Sequence, residues 1–137
     1  MNELQLFIDG ASKGNPGHSG IGVVIVRNGQ TIKNVSQYIG RATNNVAEYM
    51  ALIYGLQESL LLKADSVSVR TDSELLYKQL SKLYKVKNVT IQALYQQVLH
   101  LVSGLKKFSI SHIPRAQNKG ADLLATKAVK EALMKSI

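Results

Sequence analysis

At 137 residues, 45% hydrophobic and 19% charged, with no cysteine, the chain has the composition of one globular domain spanning residues 1–137, which excludes disorder, disulfide stapling and thiol chemistry. Seventeen Lys and Arg against nine Asp and Glu leave a net charge of +8, which points to an anionic partner. No window approaches the ~20 apolar residues needed to span a bilayer, and the N-terminus lacks the basic start and apolar run of a signal peptide, so a cytoplasmic protein with no membrane partner is expected.

Residues 4–8 are short and apolar and lead to Asp9-Gly10, the pattern of a buried strand. Residues 10–17 read as a loop from their Gly and Pro content. A second strand over 21–26 is followed by Asn28-Gly29, a two-residue hairpin signal, and then by a third strand over 31–39. The period changes at Thr43-Asn44-Asn45, which offer N-cap side chains for a helix over 46–62. Val67 and Val69 alternate with polar neighbours in a fourth strand over 66–70. Residues 73–80 and 90–102 read as helices. Residues 108–113 alternate as a fifth strand that stops at Pro114, and Asn118 is expected to cap a last helix running to about Met134. Three strands followed by β-α-α-β-α give a mixed sheet flanked by helices, an α/β fold.

The placement of charge narrows the anionic partner. No acid occurs between Glu74 and Asp122, a stretch that carries Lys78, Lys82, Lys85, Lys87, Lys106, Lys107, Arg115 and Lys119. Solubility alone would mix both signs. A membrane surface would want large apolar anchors, and the chain has no Trp and two Phe. Nucleic acid fits best.

Four of the nine acids fall at predicted strand ends or helix starts. Singly, each has an ordinary structural reading: Asp9 as a turn-former, Glu48 and Asp122 as partners of a helix dipole, Asp72 as an N-cap. Yet Glu48 has Ala51, Leu52 and Gly55 as its helical neighbours, a face on which a carboxylate needs a cation or donors. In an α/β sheet, strand ends and adjacent helix starts gather at one edge, so the four acids would converge and repel. Divalent metal would relieve that repulsion. With no cysteine and His only at 18, 100 and 112, an all-oxygen site is implied, suited to Mg²⁺ or Mn²⁺ rather than zinc. Such a site on a basic protein suggests two-metal phosphodiester cleavage.

Phe7-Ile8-Asp9-Gly10-Ala11-Ser12 with Gly14-Asn15-Pro16-Gly17, Thr43-Asn44-Asn45-Val46-Ala47-Glu48, Thr71-Asp72-Ser73, and Asn118 through Ala121-Asp122-Leu123-Leu124-Ala125 resemble, in order and spacing, the four signature blocks of type 1 ribonuclease H. The resemblance covers essentially the whole chain. It implies a ribonuclease H-like fold with sheet order 3-2-1-4-5. It further implies hydrolysis of the RNA strand of an RNA–DNA hybrid, leaving 5′-phosphate and 3′-hydroxyl ends. The roles it implies are Asp9 shared by two metal ions, Glu48 and Asp72 on the leaving-group ion, and Asp122 on the other. Asn15, Asn44 and Asn45 match positions that read RNA 2′-hydroxyls in the minor groove. Ser12 and Thr43 match backbone contacts, Glu74 an RNA contact, and Asn118, in the last block, is expected to contact substrate.

Two departures from the family pattern stand out. Only residues 73–87 separate Asp72 from Asn88, too few for the basic protrusion of many bacterial members; Lys82, Lys85 and Lys87 are expected to grip substrate in its place, with strong salt sensitivity. The segment 113–118 is too short for the flexible histidine loop of many relatives, and Arg115 is the expected replacement; His112 is as readily structural as functional, and His18 and His100 read as structural. A monomer without small-molecule cofactor is expected. The alternatives are a same-fold binding module without turnover and a same-fold nuclease acting on other duplexes.

Overall fold

The computed structural model describes residues 1–135. Its sheet has the order β3-β2-β1-β4-β5, as expected from the family resemblance. Strands β1 (Glu3–Gly14), β2 (Gly17–Arg27) and β3 (Gln30–Ala42) form an antiparallel meander, and β4 (Ser66–Thr71) and β5 (Lys107–His112) add in parallel beyond β1. Helix α1 (Asn44–Leu61) links the meander to β4, helices α2 (Glu74–Leu80) and α3 (Val89–Val102) cross from β4 to β5, and α4 (Lys119–Lys135) ends the described chain after a short 3-10 turn at Arg115–Gln117.

The two faces of the sheet differ. Leu4, Leu6 and Ile8 of β1, Ile21, Val23 and Ile25 of β2, and Val67 and Val69 of β4 alternate inward onto Tyr49, Leu52 and Leu56 of α1, and this is the main core. The opposite face of β1 and β2 is covered by α4, and glycine makes the approach possible. A Cβ at Gly22 would lie 2.1 Å from the Ala121 carbonyl oxygen, and one at Gly20 would lie 2.7 Å from that of Ala125. Since Asp9 pairs with Gly22, and Ala11 with Gly20, Asp9, Ala11 and Lys13 share the face that meets α4.

The segment 10–17 is not the loop that its composition suggested. β1 continues in register through Gly10↔Ile21 to Gly14↔Gly17, and Asn15-Pro16 alone make the turn. Glycine serves the hairpin here: Gly14 has φ +95, and a Cβ at Gly17 would lie 1.9 Å from the Lys13 carbonyl. Asp9 therefore stands inside a strand, and its turn-forming reading falls away.

The caps settle another alternative. The hydroxyls of Thr43 and Ser73 accept from the backbone of Val46 and Leu76, both at 3.2 Å, and Asn88 accepts from Ile91 at 3.1 Å. Ser73, not Asp72, caps α2, which leaves the Asp72 carboxylate uncommitted to the helix. Asn118 does not cap α4 with its side chain. Its Nδ2 donates to the Ile8 carbonyl at 2.8 Å, its Oδ1 has no partner among the described residues, and it is 1% exposed. It ties α4 to β1 beside Asp9 and offers no surface to a substrate, so the expected contact there is replaced by a structural one. Among the described residues, no helix is long and apolar enough to cross a membrane.

Candidate active site

Asp9, Glu48 and Asp72 come from β1, α1 and the end of β4, and one carboxylate oxygen of each lies within 4.8 Å of the other two. Asp9 is 6% and Glu48 8% exposed. Glu48 stands in the second turn of α1, whose first turn holds no acid, so helix-dipole stabilisation does not explain it. Its Oε1 accepts from the Gly10 N–H at 3.0 Å, and its Oε2 is buried with no hydrogen-bond partner among the described residues. Asp72 follows Thr71, whose hydroxyl accepts from the Ser73 N–H at 3.0 Å and braces the turn. His112 Nε2 lies 3.3 Å from the Asp72 carbonyl, and its ring stacks on Tyr77. That histidine supports the turn from β5. Asp122, in the first turn of α4, lines the same cleft at the edge of the trio, 3.9 Å from a guanidinium nitrogen of Arg115.

The electrostatics of this cluster are unfavourable as it stands. Burial holds the Asp9 carboxyl far above the usual carboxylate range, and the neighbouring Glu48 and Asp72 charges push it further. Burial also raises Glu48, against the opposing hydrogen bonds from Asp9 and Gly10. Arg115 is the one cation within salt-bridge reach among the described residues, and it is 81% exposed. A compact set of oxygen donors, one wholly unpartnered, with no His or Cys in the cluster, fits a hard divalent cation. The residues present are therefore suited to such an ion.

The cleft has a volume of about 610 Å³ and is lined by the four acids together with Ser12, Asn44 and Arg115. Ser12 shares a 2.6 Å hydrogen bond with Ser19. Asn15 sits at the tip of the β1–β2 turn, and its Oδ1 accepts from the Asn44 N–H at 3.0 Å, joining the turn to the start of α1. Thr43 is exposed but engaged as the cap, and Asn45 is half-buried with its Oδ1 unpartnered among the described residues. These residues form one rim. Glu74 is instead exposed in an ion pair with Lys78 at 2.6 Å, and Lys82, Lys85 and Lys87 lie apart on the α2–α3 connection. Lys82 and Lys85 line a separate groove of about 660 Å³ with Tyr84 and Tyr95. His18 hydrogen-bonds the Tyr38 hydroxyl at 2.7 Å, in keeping with a structural role.

Sequence reasoning missed Lys13, Thr126 and Lys130, which also line the acid cleft. The signal was available: 122, 126 and 130 recur every four residues on one helical stripe.

A family model described as reverse transcriptase-like matches residues 7–128. The chain is 41% identical over 126 residues to a bifunctional protein of Mycobacterium tuberculosis, covering 90% of this chain but 35% of that protein, so it spans about a third of the length of this relative. It is 33% identical to a ribonuclease H of Thiobacillus denitrificans, covering 94% of this chain and 95% of that one. Among solved structures, LC11-RNase H1 in complex with an RNA/DNA hybrid superposes with a TM-score of 0.90 at 40% identity, covering 95% of this chain and 99% of that one.

Proposed function

The chain belongs to the type 1 ribonuclease H family, and from that premise we propose that it is an endonuclease hydrolysing the RNA strand of RNA–DNA hybrids, with Mg²⁺ or Mn²⁺ held by Asp9, Glu48, Asp72 and Asp122. The observation that carries this reading is the trio of carboxylates from three separate elements within 4.8 Å, two of them buried. Uncompensated, that arrangement is costly. When bound, two such ions supply Lewis-acid stabilisation of the attacking and leaving oxygens of an in-line displacement at phosphorus.

The chain's own residues do the rest. The Gly10 N–H fixes Glu48 through Oε1 and leaves Oε2 as the free donor. Asn118 holds α4 against β1, so Asp122 faces the cleft that Asp9 enters from the sheet. Arg115 reaches Asp122 from solvent and is free to swing toward a product phosphate. The rim of Ser12, Asn15, Thr43, Asn44 and Asn45 reads the hybrid's minor groove, where 2′-hydroxyls distinguish RNA from DNA. The groove bearing Lys82 and Lys85, with Lys87 beside it, holds the backbone further along the duplex, and Glu74 pairs with Lys78, whose ammonium reaches the groove-lining Tyr84. The reading requires neither an organic cofactor nor a second copy of the chain. Its substrate is supported by the structural relative solved with an RNA/DNA hybrid.

The test is a labelled hybrid incubated with Mg²⁺ or Mn²⁺. RNA-strand cuts leaving 5′-phosphates, abolished by chelator, are expected. Binding without cutting in either metal would leave a binding module, and equal cutting of hybrid and double-stranded RNA would point to a broader duplex nuclease.

A further inference from the structure

The cleft does not end at the acids. Asp122, Thr126 and Lys130 form one wall on a single stripe of α4, and Asp9, Ala11 and Lys13 form the facing wall on β1. Lys13 shares the sheet face of Asp9, because the residues between them alternate and Gly20 and Gly22 opposite them lie against α4. From Asp122 to Lys130 is about 12 Å of helix at roughly 1.5 Å per residue, and from Asp9 to Lys13 is about 13 Å of strand at roughly 3.3 Å per residue. The two lysines therefore stand at the same distance from the acids, on opposite walls of one groove.

Their charges are uncommitted. Like most lysines of the chain, Lys13 and Lys130 have no ion pair among the described residues; what sets them apart is that both line the acid cleft. Of the α4 lysines, Lys130 alone lines the cleft, and it faces it without an acid partner, whereas Lys127 is paired with Glu131 outside it. A groove that is acidic at one end and basic at the other, with the Thr126 hydroxyl between, suits a phosphodiester chain. Such a chain would meet cation-loaded carboxylates at the reacting phosphate and ammonium groups further along.

We propose that Lys13 and Lys130 form a backbone-phosphate subsite for the cleaved strand. At about 3.4 Å of axial rise per nucleotide, it lies about four nucleotides from the scissile bond. This subsite rests on the nuclease reading above and is distinct from the lysines of the α2–α3 connection. It fixes one flank of the RNA strand, and so sets how much strand must extend beyond the cut.

The test measures binding of a fluorescent hybrid to Asp9→Asn protein across 50–200 mM salt, with and without Lys13→Gln/Lys130→Gln. Loss of two phosphate contacts is expected to weaken binding roughly five- to tenfold, and to reduce the slope of log K against log salt by about 1.5–2. The Lys13→Arg/Lys130→Arg pair should restore both. The same two charges removed at the opposite end of the sheet, by Lys63→Gln/Lys107→Gln, should do much less. In proteins retaining Asp9, shortening the RNA on one side of a mapped cut to fewer than about four nucleotides should erase the difference in kcat/KM between the wild type and the Gln variant. An unchanged slope, an equal effect from the Lys63/Lys107 control, or a difference that survives truncation on either side would overturn the subsite while leaving RNA-strand cleavage intact. Failure of the wild type to cut any hybrid would instead overturn the nuclease reading and the subsite with it.

Discussion

Replacing Asp9 by Asn should stabilise the metal-free protein while abolishing its chemistry. Asp9 is buried against Glu48 and Asp72, and its folded carboxyl binds a proton at pH values where the unfolded one, near its ordinary 3.8, has lost it. A raised folded pKa contributes stability that is fully present below the unfolded value and is lost as pH rises toward the folded one. Treating Asp9 and Glu48 as a pair that shares one proton, the linkage slope is about 1.4 kcal/mol per pH unit. Stability in chelator should thus fall by up to about 3 kcal/mol between pH 5 and pH 7. Asn keeps the shape without the charge, so Asp9→Asn should lack most of that slope and melt on the order of 5–10 °C higher than the wild type at pH 7. Saturating Mg²⁺ or Mn²⁺ should narrow or reverse the gap, since only the wild type has the full carboxylate set to neutralise. Thermal melts of both proteins in chelator and in metal, at four or five pH values, read this directly. An Asp9→Asn protein that is less stable than the wild type in chelator at pH 7, or a difference that does not change with pH, would refute the reasoning.

Removing the lysines of the α2–α3 connection, with Lys82, Lys85 and Lys87 all changed to Ala, should raise KM more than it lowers kcat, with the salt slope of hybrid binding reduced by roughly 2–3; an unchanged KM at several salt concentrations would show that this segment does not grip substrate. Gly22→Ala should cost about 3 kcal/mol or more, because a Cβ there would meet the Ala121 carbonyl at 2.1 Å and push α4 off the sheet; chemical denaturation checks it, and a loss below about 1 kcal/mol would mean that α4 shifts freely.

The family blocks made most of this architecture legible. Alternation of Leu4, Leu6 and Ile8, and of Val67 and Val69, marked the buried strands, and the caps at Thr43, Ser73 and Asn88 mark helix starts that composition placed within a residue or two. The errors have physical causes. Glycines of segment 10–17 were read as loop formers, although Gly14 and Gly17 serve the hairpin turn and Gly10 lies against α1. Asn118 was read as a cap because Asn before a helix commonly caps; its donation to Ile8, 110 residues away in the chain, is a tertiary contact that no local pattern reveals. The convergence of the acids followed from their places at strand ends and helix starts, and the family blocks added their roles, but the extension of the cleft to Lys13 and Lys130 depends on which sheet face α4 covers, and that appears only when the glycines opposite Asp9 and Ala11 are seen against the helix.

The most direct test of the central claim is cleavage of an RNA-labelled hybrid by the wild type and by Asp9→Asn, Glu48→Gln, Asp72→Asn and Asp122→Asn, each shown by circular dichroism to be folded, in Mg²⁺ and in Mn²⁺. The wild type should cut the RNA strand, and each variant should lose at least about a hundredfold in rate, since each removes an oxygen donor on which the developing charge depends. Undiminished cutting by Asp9→Asn, or a wild type that binds the hybrid and cuts it in neither metal, would contradict the claim.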